Sequence, residues 1–159
     1  MKVVRASEKD VEEIIKINSQ FRKIFEREVK KEKLLVPFLV YDNKKWILEE
    51  ILKKNQYVAK NGRDSIFGAM CFYAEIKGSP GETYIETLAV KESEHNKGIG
   101  RMLVEFAKRK SEKEGSHMMV VDSFSVYNAK KFYLKCGFEM ERKEMFLCGN
   151  RYYRFFMNL

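Results

Sequence analysis

The chain contains few of the residues that mark specialised classes of small protein. Its 159 residues include two prolines, two histidines and three cysteines. Cys71, Cys136 and Cys148 are odd in number, widely spaced and far from both histidines, so the sequence predicts neither a disulfide framework nor a zinc site. No apolar run approaches the ~20 residues of a membrane span, and the N-terminal stretch lacks the apolar region of a signal peptide. We therefore expect a soluble, cytoplasmic protein.

The composition is that of a globular domain. Apolar residues make up 45% of the chain and aromatic residues 13%, which is enough for a sizeable core at this length. No internal repeat, low-complexity tract or linker rich in glycine, serine or proline divides the sequence. We expect residues 1–159 to form one domain.

The first half of the chain alternates between helical and strand patterns. Ser7 and Asp10 have the spacing of a capping box that opens a helix, and Asn61-Gly62 is a strong turn signal between two strands. The predicted elements are a strand over Val3–Ala6, a helix with Val11, Ile14, Ile15 and Phe25 on one face, an apolar loop over Leu34–Tyr41, a helix over Asn43–Lys54 buried through Ile47, Leu48, Ile51 and Leu52, and a hairpin of 57–60 with 65–77.

The second half begins with a strand, a polar loop and an amphipathic helix. The predicted elements are a strand over Thr83–Val90, a loop over Lys91–Lys97, a helix from Ile99, a buried strand over Met118–Phe124, a short helix from Asn128, and a closing hairpin of Glu139–Leu147 with Tyr152–Asn158. This order predicts an α/β (α+β) fold with a mixed, mostly antiparallel sheet of about seven strands and helices on both faces.

The turn before the helix at Ile99 is typical of a phosphate site. Gly98 and Gly100 lie at the helix N-terminus, where backbone N–H groups lack intrahelical partners and the helix dipole is positive. Without a Cβ, these glycines allow a pyrophosphate to approach the backbone. The segment has no Gly-Lys-Ser/Thr run and no third glycine at Leu103, so neither of the common nucleotide motifs fits.

This segment resembles the acetyl-CoA-binding motif of the GNAT superfamily, the GCN5-related N-acetyltransferases. Its sequence is LAV, seven residues, then GIG. A second block, NAKKFYLKCGF, is similar to the later helix of that family, with Gly137 expected at the helix C-terminus. The departures are His95, where the family has Gln or Arg, and Val126, where it often has Asn.

The resemblance implies that acetyl-CoA is the co-substrate and that no metal is needed. It implies that a backbone N–H of the 88–90 strand end polarises the thioester oxygen, and it leaves Asn128 open as a cofactor contact or a helix N-cap. The residues expected to bind the cofactor are Leu88, Ala89, Val90, His95, Asn96, Lys97, Gly98, Ile99, Gly100, Arg101, Asn128 and Lys135.

The same resemblance implies two catalytic roles, an acid and a base, and the family draws the base from several positions. Tyr133 matches the tyrosine that protonates the departing thiolate. Strand alternation places Tyr84, Glu86 and Leu88 on one face, and we take Glu86 as the base that removes the amine proton. Glu75, Asp122 or an ordered water are the other candidates for the base.

Two other functions remain open. A net charge of +8 would suit a small basic nucleic-acid-binding protein. The lysines alternate with glutamates, however, as in residues 108–114, and no nucleic-acid motif is present, so nucleic acid is not favoured as a partner. The second alternative is a GNAT module that binds acyl-CoA without catalysis.

The acceptor of the acetyl group could be a small molecule or a protein amine, although the basic surface argues mildly against polyamines. A homodimer is compatible with the sequence.

Overall fold

The computed structural model describes residues 1–28, 40–74, 79–143, 145–147 and 149–159. In these residues the chain forms eight strands and four α-helices. In chain order they are β1 (Lys2–Arg5), α1 (Val11–Glu28), α2 (Lys44–Leu52), β2 (Gln56–Lys60), β3 (Ile66–Tyr73), β4 (Glu82–Val90), α3 (Ile99–Lys113), β5 (Met118–Phe124), α4 (Lys130–Lys135), β6 (Glu139–Met140), β7 (Met145–Leu147) and β8 (Asn150–Asn158).

The strands form one mixed sheet in the order β1-β2-β3-β4-β5-β8-β6, with β7 also paired to β8. Only the neighbours β4 and β5 are parallel among the strand pairs that the structure describes. The prediction of a mixed, mostly antiparallel sheet is confirmed. The sheet has eight strands where about seven were expected, because β6 and β7 occupy successive parts of the same edge of β8.

Helices cover both faces of the sheet, as predicted. On one face, α3 and α4 bury a core that includes Ile85, Leu103 and Phe155. On the other face, α1 and α2 bury a core that includes Ile14, Ile47 and Val58. The capping box also forms, since the Ser7 backbone N–H donates to Asp10 Oδ2 at 2.8 Å just before α1.

Two local predictions are wrong. Leu52 was expected in the buried stripe of α2 but is 73% exposed, because the helix ends at this residue. Asn128 was weighed as the N-cap of α4, but it adopts a left-handed conformation with φ of 52°, and Ala129 is the residue that precedes the helix. Most of the predicted loop over Leu34–Tyr41 lies outside the described residues.

A β-bulge in β4 changes which side chains share a face. Phe72 on β3 is opposite Ile85, and Cys71 is opposite Thr87, so Glu86 is the extra residue. The alternation of side chains therefore reverses at Glu86. Leu88 packs against the same core as Ile85, and the prediction that it shares a face with Tyr84 and Glu86 is wrong.

None of the helices among the described residues is long and apolar enough to cross a membrane.

The turn after α4 depends on a glycine. Gly137 has φ of +92°, and its N–H donates to Leu134 O at 3.1 Å while the Phe138 N–H donates to Tyr133 O at 3.1 Å. These two bonds close the C-terminus of the helix, as expected from the sequence. A Cβ at this position would lie 3.7 Å from Met157 Cε, which is an ordinary contact.

We predict that Gly137→Ala lowers the free energy of unfolding by about 1–2 kcal/mol, because an L-residue is strained in the left-handed region. Urea denaturation would measure this loss. Gly62→Ala is the control, since Gly62 has no positive φ and a Cβ there meets nothing within 4 Å. Equal stability of the Gly137 variant and the wild type would contradict this account of the turn.

Candidate active site

The candidate site is a cleft that opens where two parallel strands part. β4 and β5 pair only between Glu82–Ile85 and Met118–Val121, and beyond these residues the strands no longer pair. The cleft between the strand ends has a volume of about 970 Å³. Residues of α1, of the N-terminus of α3 and of α4 complete its wall.

The N-terminus of α3 presents free backbone donors to this cleft. The first helical bond runs from the Met102 N–H to Gly98 O at 3.0 Å, so the N–H groups of Ile99, Gly100 and Arg101 precede the hydrogen-bonded part of the helix. The structure gives no side-chain cap at Gly98, whose φ is +83°. These three donors and the positive end of the helix dipole fit a pyrophosphate, and the Arg101 and Lys135 side chains add positive charge to the wall.

The two glycines of the turn have different roles. At Gly98 an added Cβ meets nothing within 4 Å, so the space in front of the backbone is open. At Gly100 an added Cβ would lie 3.1 Å from the Phe132 ring. Gly100 therefore has a role beyond the predicted one, because it also lets α4 pack against α3.

Two side chains bind the backbone carbonyl of Val90 and hold the end of β4 in place. The Val90 carbonyl oxygen is 3.0 Å from Gln20 Nε2 and 2.9 Å from His95 Nε2. The Lys91 N–H donates to Phe67 O at 2.9 Å, which sets the register of the ladder with β3. By antiparallel alternation, Ala89 bonds to β3, whereas the N–H groups of Leu88 and Val90 face the cleft.

Eleven of the twelve residues predicted to bind the cofactor line this cleft. The exception is Lys97, whose amino group pairs with Glu94 at 3.2 Å and is not part of the described wall. The residues brought together are Leu88, Ala89, Val90, His95, Asn96, Gly98, Ile99, Gly100, Arg101, Asn128 and Lys135.

Glu86 lies on the wall of the cleft at the bulge in β4. Its Oε1 accepts a hydrogen bond of 2.5 Å from the Tyr41 hydroxyl. Burial raises the pKa of Glu86, and the nearby carboxylates of Glu50 and Asp122 raise it further, whereas the Tyr41 hydrogen bond opposes them. A carboxylate with a raised pKa accepts a proton more readily than an exposed glutamate.

Asp122, the other described candidate for the base, is already engaged. Arg154 holds both of its oxygens, with Nε at 2.9 Å from Oδ1 and Nη2 at 2.8 Å from Oδ2. The Tyr84 hydroxyl also donates to Oδ2 at 3.2 Å. Because Arg154 already occupies both oxygens with a bidentate bond, Asp122 is less available than Glu86 to accept a hydrogen bond from a substrate. Glu75 lies outside the described residues.

Tyr133 lines the cleft from α4 and is 6% exposed. Its ring packs against the rings of Phe138 and Phe155, at centroid distances of 5.5 and 5.1 Å. Burial raises the pKa of the Tyr133 hydroxyl, so the group keeps its proton at neutral pH.

Sequence reasoning missed Tyr41, Arg154 and Phe132 as parts of the site. The Tyr41–Glu86 bond joins residues 45 apart, and the Asp122–Arg154 pair joins residues 32 apart. No local pattern signals such contacts. Phe132 was visible as a member of the second block, but its contact with Gly100 depends on the packing of α4 against α3.

The described residues contain no group of three or more His, Cys, Asp or Glu side chains that could hold a metal ion.

Comparison with known proteins identifies the family. Residues 53–140 match the acetyltransferase (GNAT) domain, and this chain belongs to that family. It is 31% identical over 104 residues to the uncharacterized N-acetyltransferase YvbK of Bacillus subtilis (strain 168), and the match covers 65% of each chain.

Solved structures share the fold. The PaiA N-acetyltransferase of Thermoplasma acidophilum, in complex with coenzyme A, superposes with a TM-score of 0.76 over 96% of both chains at 17% identity. A Bacillus subtilis acetyltransferase in complex with CoA superposes with a TM-score of 0.57 at 27% identity, over 72% of this chain and 84% of that one.

We predict that Gly98→Ala weakens CoA binding at least tenfold, because it adds a methyl group to a residue that lines the cleft and strains the turn before the α3 donors. Calorimetry would measure the affinity. Acetyl-pantetheine, which lacks the pyrophosphate, should bind the variant and the wild type alike.

Gly115→Ala is a matched control at the other end of α3, since Gly115 has φ of +77° and a Cβ there also meets nothing within 4 Å. It carries the same backbone strain but should leave CoA affinity unchanged. Equal CoA affinity of the Gly98 variant and the wild type would contradict the placement of the phosphate site at this turn.

Proposed function

We propose that this protein transfers an acetyl group from acetyl-CoA to a primary amine by direct attack of the amine, with both substrates bound together in the cleft. The observation that carries this proposal is the shared cleft, which is lined by the N-terminus of α3 with its anion-binding donors, by Glu86 and by Tyr133. Bound acetyl-CoA would supply the activated acetyl group as a thioester.

Substrate positioning follows from the strand geometry. The N–H groups of Ile99, Gly100 and Arg101 would hold the pyrophosphate. Leu88 and Val90 direct N–H groups into the gap beside β5, where backbone donors would stabilise negative charge that develops on the thioester oxygen. Rigid backbone supplies these donors, so they need no reorganisation during the reaction.

Proton transfer requires one base and one acid. Glu86 would remove the proton from the amine, directly or through water, and its raised pKa makes its carboxylate a stronger base than an exposed glutamate. Tyr41 would hold the carboxylate in place. Tyr133 would give its proton to the departing thiolate, and burial keeps that hydroxyl protonated until then.

We predict that Glu86→Gln lowers turnover roughly 100-fold at neutral pH, within the usual range for general-base catalysis. The loss should shrink as pH rises, because more of the amine is already neutral and needs no base. Release of free CoA, followed across pH, would test this. Glu82→Gln is the control, since Glu82 lies on the same strand but not on the described wall of the cleft.

The stability of this variant separates catalysis from structure. Because burial raises the pKa of Glu86 above its unfolded value, stability falls as pH rises from the unfolded pKa through the folded pKa. Glutamine does not ionise, so the variant does not lose stability in this way as pH rises. The melting temperature of Glu86→Gln at pH 8 should therefore not fall below that of the wild type. A lower melting temperature with unchanged turnover would show that Glu86 has a structural role and not a catalytic one.

We predict that Tyr133→Phe lowers turnover by roughly 10-fold or more, with CoA affinity and stability preserved, because only the hydroxyl is lost while the ring packing remains. Tyr57→Phe is a matched control, since Tyr57 is 2% exposed in the same core and is not on the described cleft wall. Wild-type turnover in the Tyr133 variant would assign the acid to water or to another residue.

A further inference from the structure

The cleft is electrically polarised along β4. Its described arginine and lysine side chains are Arg101 of α3 and Lys135 of α4, and these helices meet at Gly100, next to Val90. Glu94 also lines the cleft, but its carboxylate is paired with Lys97 at 3.2 Å. Glu86 is four residues before Val90 on the strand, which at about 3.3 Å per residue is about 13 Å away. The carboxylates of Glu86 and Asp122 line this second region, which we call the acceptor end.

Aromatic rings surround the two carboxylates. Tyr41, Tyr84 and Tyr127 all line the cleft, and Tyr41 and Tyr84 donate to Glu86 and Asp122 respectively. Phe21 packs edge-on against Tyr41 and Tyr127, at centroid distances of 5.9 and 5.4 Å. The two carboxylates attract an ammonium group by direct charge, and aromatic rings in the same cleft can add cation–π attraction.

Two arginines that the structure describes near the acceptor end are already paired through their planar forks. Arg154 binds Asp122 through Nε and Nη2. Arg22 of α1 binds Asp42, next to Tyr41, in the same way, with Nε at 2.8 Å and Nη2 at 2.7 Å from the two carboxylate oxygens. Since bidentate binding of a carboxylate uses this fork, neither arginine offers its fork to a substrate carboxylate.

We propose that the acceptor is a primary amine with no carboxylate on the carbon that bears it, and that it binds as an ammonium ion between Glu86 and Asp122. This inference rests on the proposed function, because it describes the second substrate of the same cleft. Free α-amino acids are disfavoured, since their carboxylate would face Glu86 and Asp122, and the arginine forks that the structure describes nearby are already paired. Small amines and peptide N-termini share the favoured chemistry.

The test compares ligands of equal bulk on the CoA-loaded protein. Calorimetry would measure binding of phenylalanine amide and phenylalanine, which differ in the charge of one group. We expect phenylalanine amide to bind at least tenfold more tightly than phenylalanine. A peptide with a free N-terminus, compared with cadaverine, shows which source of amine is preferred. Equal or tighter binding of phenylalanine would overturn the proposal.

Asp122→Asn supplies a second measurement. The variant frees the fork of Arg154 and removes one negative charge, so the preference for phenylalanine amide over phenylalanine should fall at least tenfold. Glu12→Gln is the control, because it removes the same charge from an exposed surface pair with Lys44. An unchanged preference in the Asp122 variant would contradict the role given to this carboxylate.

The experiment separates this inference from the proposed function. Binding is measured without turnover, so tight binding of the amide with no release of CoA would refute acetyl transfer and leave the acceptor chemistry standing. Release of CoA together with equal binding of the amide and the free acid would support acetyl transfer and refute the proposed acceptor chemistry.

Discussion

The separation of β4 from β5 is the constraint on which the rest of the site depends. Two parallel strands that stop pairing after Ile85 and Val121 leave backbone groups without a ladder partner between them. Buried backbone groups need hydrogen bonds, so a gap of this kind suits an extended polar ligand. The pantetheine arm that joins the pyrophosphate of CoA to its thioester has that shape and polarity.

Several contacts stabilise the open end of β4 while leaving the cleft free. Gln20 and His95 hold the Val90 carbonyl, and β3 pairs with the opposite edge of the strand. Gly68 on β3 allows α3 to approach closely, since an added Cβ would lie 3.1 Å from Leu103 Cδ1 and 3.2 Å from Ile99 Cγ2. The N-terminus of α3 is therefore held against the sheet beside the end of β4.

The parts of the site that the sequence predicted are those encoded by local patterns. The turn at Gly98, the helix from Ile99 and the strand Met118–Phe124 follow from glycine placement and hydrophobic periodicity, and all three were located correctly. The closing hairpin and the glycine at the end of α4 were also predictable, because turn chemistry depends on few residues.

The parts that could not be predicted depend on contacts between distant segments. The bulge at Glu86 arises from pairing with β3, and it moved Leu88 to the opposite face from the one expected. The partners of Glu86 and Asp122 could not be predicted from local sequence either. Tyr41, which binds Glu86, comes from another region of the chain, and Arg154, which binds Asp122, comes from the last strand. The sequence predicted candidate residues for the chemistry, but the structure was needed to show what surrounds them.

The central claim is that CoA lies in the gap between β4 and β5 with its pyrophosphate on α3. The most direct test is amide hydrogen exchange of the protein with and without CoA, followed residue by residue by NMR. The account predicts that CoA slows exchange at Leu88 and Val90 in the gap and at Ile99, Gly100 and Arg101 on the helix, while Ala89, already paired with β3, changes little. Protection by CoA elsewhere in the protein, with these five amides unchanged, would contradict the account.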